Sequence, residues 1–282
     1  MNSLRYDVLV SGLTPVQDTS APDGLVPHWS PLSHTLIQGP TAAAVVDPPI
    51  TRAQTTALAD WIAASGKTLQ YIYITHWHGD HWLGAGQLRH RFPHATVLAG
   101  PATARRIQAS IADGTVGQPW TTLFPGQLPD EATSIEVEDV PAEGFTVDGH
   151  RLHSLEVGHS DTDDSTVLHV PELGLVVAGD VVYNNVHQYL AETPGGGLDA
   201  WLSALDQVAA LRPQHVVAGH KDADRDDSPT NIAETRRYLE TTAGLLEQRP
   251  TREEFYARVI EHYNTRVNPY TIWLSARQLL AE

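Results

Sequence analysis

Apolar positions along the chain change rhythm repeatedly, and the changes mark its elements. The runs "RYDVLVSG", "HTLIQG", "AAAVVDP", "LQYIYIT" and "ATVLAG" are short and bounded by glycine, proline or polar residues, and they read as strands. Between them, apolar residues recur at helical spacing from about Thr51 to Ser65 and from about Trp82 to Phe92. A second round follows, with the strands "GFTVDG", "HRLHSLEVG", "STVLHVP" and "LGLVVAGD", a helix from about Leu198 to Leu211, and the strand "HVVAGH". Strand runs followed by helices in each half predict an α/β protein of two mixed sheets packed together with helices outside, a four-layer arrangement.

No Gly/Ser or Pro tract separates the halves, so 1–282 reads as one domain. Its core spans about 1–228, and a helical tail over about 229–282, broken at Pro250 and Pro269, is expected to cover it. The stretch from Ala102 to Glu143 is the least regular. Its "GTVGQPWTTLFPGQLPDEAT" fits either a surface excursion lying over a site or an ordinary loop with its aromatics tucked into the core.

Composition narrows the chemistry. Cysteine is absent, which removes disulfides, thiolate nucleophiles and thiolate metal ligands, so any metal must sit on nitrogen and oxygen. With 18 basic against 34 acidic residues the formal charge is −16, which opposes binding to nucleic acid and to anionic lipid. No apolar run approaches the roughly eighteen residues of a membrane span, and "MNSLRYDVLVSGL" lacks a signal-like core. A cytoplasmic protein with a small-molecule substrate is expected. Its oligomeric state stays open, a homodimer among the alternatives.

"THWHGDH" crowds His76, His78, Asp80 and His81 directly behind a buried strand. His76 and His78 are two apart, so an extended backbone points both to one face, where two imidazoles can bind one ion. Asp80 and His81 follow in a turn, and one ion cannot easily use all four; the spacing suits two adjacent ions, each needing further ligands. His159, Asp180 and His220 each close an apolar run behind a glycine, which lets the backbone turn sharply and delivers the side chain to a sheet rim.

Taken in order, "THWHGDH", the histidine of "VGHSDTDDS", the aspartate of "AGD" and the histidine of "AGH" resemble the metal-binding set of the metallo-β-lactamase superfamily. The resemblance covers about Tyr6 to His220 and implies an αββα sandwich with a two-metal site. It implies that His76, His78 and His159 hold one ion, that Asp80, His81 and His220 hold the other, and that Asp180 bridges them. Asp47 and Thr75 would support the metal loop from behind. The ions implied are two Zn2+, with iron or manganese tolerating the same ligands. The activity implied is hydrolysis of a small ester, lactone or amide carbonyl by a metal-bridging hydroxide, with Asp80, Asp180 and Tyr183 as catalytic residues.

Tyr183, three residues beyond Asp180, resembles the tyrosine of lactone-cleaving members, although a phenol there is as often packing. Asn184, Asn185, His187 and Tyr189 either line the pocket or cap turns. The acids Asp161, Asp163 and Asp164 read as a solvated turn that could include an acceptor for an imidazole. The absence of cysteine at the Asp180 position argues against β-lactam hydrolysis as the main task. A glutathione-thioester hydrolase and a mononuclear iron enzyme resembling the persulfide dioxygenases are the alternatives, with a non-catalytic metal-binding protein behind them.

Overall fold

The structure, a computed structural model, describes residues 3–22 and 24–280. The first half runs β1 (Arg5–Ser11), the short pair β2 (Thr14–Pro15) and β3 (His28–Trp29), β4 (Leu32–Gln38), β5 (Ala42–Val46), α1 (Arg52–Ala64), β6 (Thr68–Ile74), α2 (Ala85–Arg91), β7 (Thr96–Ala99), α3 (Pro101–Ala112), α4 (Trp120–Leu123) and β8 (Glu138–Asp139). The second half runs β9 (Phe145–Val147), β10 (His150–Gly158), β11 (Ser165–Val170), β12 (Leu175–Gly179), α5 (Gly197–Ala210) and β13 (His215–Ala218), followed by α6 (Thr230–Leu246), α7 (Arg252–His262) and α8 (Tyr270–Leu279).

Six strands form one sheet in the order β1-β4-β5-β6-β7-β8, and five form the other in the order β13-β12-β11-β10-β9. The pairs from β5 to β8 are parallel, as is β12 with β13, while the remaining pairs are antiparallel. Alternation along single strands shows why the layers stack. On β5, Ala43 and Val45 join Leu58, Ile62 and Leu88 of α1 and α2, whereas Ala42, Ala44 and Val46 face the other sheet's Leu168, Leu175 and Val177. On β12, Val176 and Ala178 turn the opposite way, to Trp201, Leu205 and Val208 of α5. Apolar layers on both faces of both sheets yield the αββα sandwich.

Two expectations shift in detail. The helix expected from Trp82 begins at Ala85, because a tight turn over Gly79–His81 comes first and the Trp82 indole is tied back to the Trp77 carbonyl at 2.7 Å. The supposedly irregular stretch opens with a regular helix, α3, which starts at Pro101 and buries Ala104 and Ile107. The C-terminal helices pack onto the second half through Tyr238, Leu239, Phe255 and Val259, and Tyr270 and Trp273 of α8 reach the core of the first half. Among the described residues no helix is long and apolar enough to cross a membrane.

Candidate metal centre

The C-terminal ends of parallel strands deliver the chemistry, as in other open α/β sheets. Asp47 follows β5, Thr75 and His76 follow β6, Asp180 follows β12 and His220 lies just past β13. Gly179 adopts φ +51°, and a Cβ there would lie 2.5 Å from the Thr75 hydroxyl; a Cβ on Gly219 would lie 2.1 Å from Asp180 Oδ1. Gly179 lets strand ends of the two sheets close to contact, and Gly219 does the same for the neighbouring ends of β13 and β12.

Three groups of potential ligand atoms lie within 4.8 Å of one another: His76 with His81 and Asp180, His76 with His78 and Asp161, and Asp80 with His81 and His220. His81 Nε2 is 3.5 Å from Asp80 Oδ2 and 3.4 Å from Asp180 Oδ1. His220 Nε2 is 3.3 Å from Asp80 Oδ2 and 3.2 Å from Asp180 Oδ2. On the other side, His78 Nδ1 lies 2.7 Å and His76 Nε2 3.8 Å from Asp161 Oδ2. Asp180 therefore stands within reach of both sides.

The outward nitrogens are anchored, as orienting partners of metal-binding imidazoles should be. His81 Nδ1 meets Asp47 Oδ2 at 3.0 Å, His220 Nδ1 donates to the Pro31 carbonyl at 2.9 Å, and His78 Nε2 meets Glu192 Oε1 at 2.9 Å. His76 Nδ1 lies 3.0 Å from the Thr75 hydroxyl, which in turn donates to Asp47 Oδ2 at 2.7 Å. Inward, buried His76 Nε2, His81 Nε2 and Asp180 Oδ1 find no hydrogen-bond partner among the described residues, and Asp161 Oδ2 meets only His78 Nδ1. Leaving such atoms unpaired is costly, and a cation seated among them would satisfy them together. Imidazole nitrogen with carboxylate oxygen is a donor set that suits zinc, and iron or manganese as well.

Charge points the same way. Burial opposes protonation of His78, but the Asp161 and Glu192 carboxylates outweigh it and hold the imidazole up at about 10. Burial is likewise overcome at His220, raised to about 10 by Asp180 and Asp80, and at His81, held well above its usual range by Asp180, Asp80 and Asp47. Burial pushes His76 down to about 4 and leaves it neutral. Burial would raise Asp80 and Asp180, yet their histidine neighbours hold both below the usual carboxylate range. The carboxylates thus demand positive charge, which protons or metal cations supply; binding of divalent ions would release those protons.

The structure brings together His76, His78, Asp80, His81, Asp180 and His220, but not His159. A bulge between Glu156 and Gly158, with Gly158 at φ +86°, turns His159 aside. Its Nδ1 meets Asp163 Oδ1 at 2.7 Å. Its Nε2, buried and without a partner, faces Gly197, where a Cβ would lie 2.5 Å away. Asp161 stands beside His76 and His78 instead. Tyr183 is buried, and its hydroxyl donates to Asp180 Oδ2 at 2.7 Å, so the phenol holds a candidate ligand. His187 points into the α6 packing, with Nδ1 2.9 Å from the Tyr238 hydroxyl. Asn184 donates to the Asp226 carbonyl and Asn185 to Asp222, both tying down turns.

A cavity of about 170 Å³ opens over the cluster, walled by Trp29, Trp77, Trp120, Tyr189 and Leu274. Trp120 brings part of the stretch 102–143 over the site, while Phe124 is tucked into the core, so both expected placements occur within it. Trp29 Nε1 donates to Asp80 Oδ2 at 2.8 Å, and Trp77 Nε1 donates to Thr162, whose hydroxyl donates to Glu192 at 2.6 Å. Sequence reasoning misses Trp29, since nothing local to it points to a site; Glu192 lies in the loop after Asp180, which the sequence offers as a pocket wall without singling out this residue.

The model of the "Metallo-beta-lactamase superfamily" matches residues 31–220. A "Metallo-beta-lactamase type 2" of Bacteroides fragilis is 27% identical over 189 residues, covering 64% of this chain and 65% of the relative's own length. Among solved structures, a metallo-beta-lactamase family protein from Thermus thermophilus superposes with a TM-score of 0.64 at 20% identity, covering 97% of this chain and 92% of that one. A metallo-beta-lactamase from Pontibacter korlensis superposes with a TM-score of 0.58 at 19% identity, covering 84% and 99%. A family match that takes in the whole run from Pro31 to His220, over strands and ligand-bearing loops alike, establishes that this chain belongs to the metallo-beta-lactamase superfamily.

Proposed function

We propose that the chain is a metal-dependent hydrolase that opens a small, neutral lactone or ester at a pair of divalent ions. One observation carries the reading: four imidazoles and the carboxylates of Asp80 and Asp180 converge, with unpaired buried atoms, on the floor of an aromatic cavity. Bound there, two divalent cations supply Lewis acidity and make hydroxide available near neutral pH. His76 and His78 would hold one ion, Asp80, His81 and His220 the other, with Asp180 placed between the two groups. Thr75 and Asp47 fix the imidazoles of His76 and His81.

The chain's own groups do the rest. Trp29, Trp77, Trp120 and Tyr189 exclude water and bury the acyl portion. Asp80, ionised and at the cavity wall, accepts a proton from attacking water and returns it to the alkoxide when the acyl C–O bond breaks. Tyr183 positions Asp180. Among the described residues no lysine or arginine lines the cavity, whereas Glu192 does. A substrate carboxylate would find no side-chain cation in the cavity and only the ions themselves to pair with, which favours neutral lactones and esters over glutathione thioesters and β-lactams.

The test is a panel of lactones, simple esters, thioesters and β-lactams, assayed with the zinc-loaded protein and with Asp180→Ala. Turnover is expected on the neutral substrates, and the variant should lose turnover and metal occupancy together. A wild-type chain holding two ions that hydrolyses nothing in the panel, or an Asp180→Ala variant with full activity and two ions, would overturn the reading. Metal content of protein purified from its native host separates the one-iron alternative, which requires a single iron per chain.

A further inference from the structure

We infer that Asp161, and not His159, completes the ligand set of the ion at His76 and His78, so that this ion sits on two imidazoles and one carboxylate. The inference rests on the proposed metal site and changes its composition. Asp161 is fully buried, with its side chain at 0% exposure, beside the His78 and His76 ring nitrogens. Its Oδ2, the atom aimed at them, is met only by His78 Nδ1 at 2.7 Å, itself a nitrogen that would turn to a bound cation, while Oδ1 is held by the Ser160 hydroxyl at 3.0 Å. One carboxylate oxygen is thus fixed from behind and the other is left to a cation.

The surroundings are built to hold that arrangement. Ser160 N donates to the Thr162 carbonyl at 2.9 Å, and the Ser160 and Ser165 hydroxyls meet at 2.8 Å, which locks the turn that presents Asp161. Thr162 binds Glu192 Oε2, and Glu192 Oε1 meets His78 Nε2, so the same turn also leaves His78 Nδ1 as the inward nitrogen. His159 has no comparable access. It is held by Asp163 on one side, its Nε2 faces Gly197 on the other, and it is absent from the cavity lining.

Replacing an imidazole by a carboxylate has a chemical consequence. Two divalent ions bring four positive charges, and Asp80, Asp161 and Asp180 return three negative ones, so the site keeps one net positive charge where a histidine in place of Asp161 would leave two. Lower net charge makes bound water less acidic and makes the site more hospitable to harder cations. Two imidazoles with one carboxylate is a set that serves both catalytic zinc and non-haem iron.

Metal stoichiometry tests the inference without reference to activity. Purified wild type, Asp161→Asn and His159→Ala are saturated with zinc, dialysed and measured for ions per chain, with circular dichroism melts to confirm folding. Asp161→Asn should hold one ion fewer than wild type, and His159→Ala should match wild type. Loss of an ion in His159→Ala, or retention of all ions in a folded Asp161→Asn, overturns the inference. Should Asp161→Asn not fold, an anomalous difference map of the wild-type zinc crystal decides: a peak about 2.1 Å from Asp161 supports it, and a map in which no ion touches Asp161 overturns it. A single peak would refute the two-ion reading of function, whereas the ligand question is answered by where that peak lies.

Discussion

Removing the Tyr183 hydroxyl separates two roles that a phenol beside a metal site can play. Its Oη donates to Asp180 Oδ2 at 2.7 Å, in a fully buried setting, and the ring rests 5.6 Å from the His220 ring and 6.1 Å from that of Trp201. Tyr183→Phe keeps those packing contacts and deletes one donor to an ionised acceptor. Hydrogen bonds to charged groups contribute about 1.5 to 3 kcal/mol. Asp180 Oδ2 keeps His220 Nε2 at 3.2 Å, so a value around the bottom of that range, about 1 to 2 kcal/mol, is expected. If the phenol positions Asp180, this loss falls on metal binding and weakens the zinc Kd roughly 5- to 30-fold. Excess zinc should then restore kcat to within about threefold of wild type on the same free-energy scale. Competition with a chromophoric chelator gives the Kd, and rates measured across zinc concentrations give kcat. An unchanged Kd combined with a kcat that stays about tenfold down at saturating zinc would show that the hydroxyl acts on the substrate carbonyl instead.

Gly79→Ala tests the cavity roof, because a Cβ there would lie 2.4 Å from Trp120 Nε1 and 2.9 Å from Leu83 Cδ1. Trp120 must move, so tryptophan emission should shift and kcat/KM should fall by about tenfold or more, equivalent to about 1.4 kcal/mol; unaltered emission and kinetics would place Trp120 outside the working cavity. Burial and the nearby Arg266 charge depress His187 to about 3, well under its unfolded value. Between those values the unfolded chain binds a proton that the folded chain refuses, so stability is lost as pH falls through about 6.5. His187→Gln removes that proton, and the loss of unfolding free energy between pH 7 and pH 5 should shrink by up to about 2 kcal/mol in urea melts. An equally steep acid limb in the variant would show that His187 does not contribute.

The strands and their layering are legible because each sheet is covered on both faces, which leaves short continuous apolar runs such as "LGLVVAGD" that few other environments tolerate. Six ligand candidates are legible for a related reason. Ligands at the ends of parallel strands have positions fixed by the strand itself, and the close approaches at Gly179 and Gly219 leave a glycine signature immediately before Asp180 and His220. The stretch after β10 lacks that simplicity. The bulge between Glu156 and Gly158 shifts which side chains face inward, so "VGH" has the look of its counterparts while His159 turns away. Only the order of ligands along the chain supports His159, and order does not report side-chain phase. A signal for Asp161 does exist: "SDTDDS" places several acids against the start of β11, but two of them face solvent or His159 and only the backbone path selects the one that does not. The cavity walls are less legible still. Trp29 and Leu274 come from segments far apart in the chain, and periodicity within a segment says nothing about which distant loop will lie above it. Metal loops whose side chains are fixed by local backbone geometry can therefore be read from sequence, whereas substrate selection rests on contacts between segments that only the folded chain brings together.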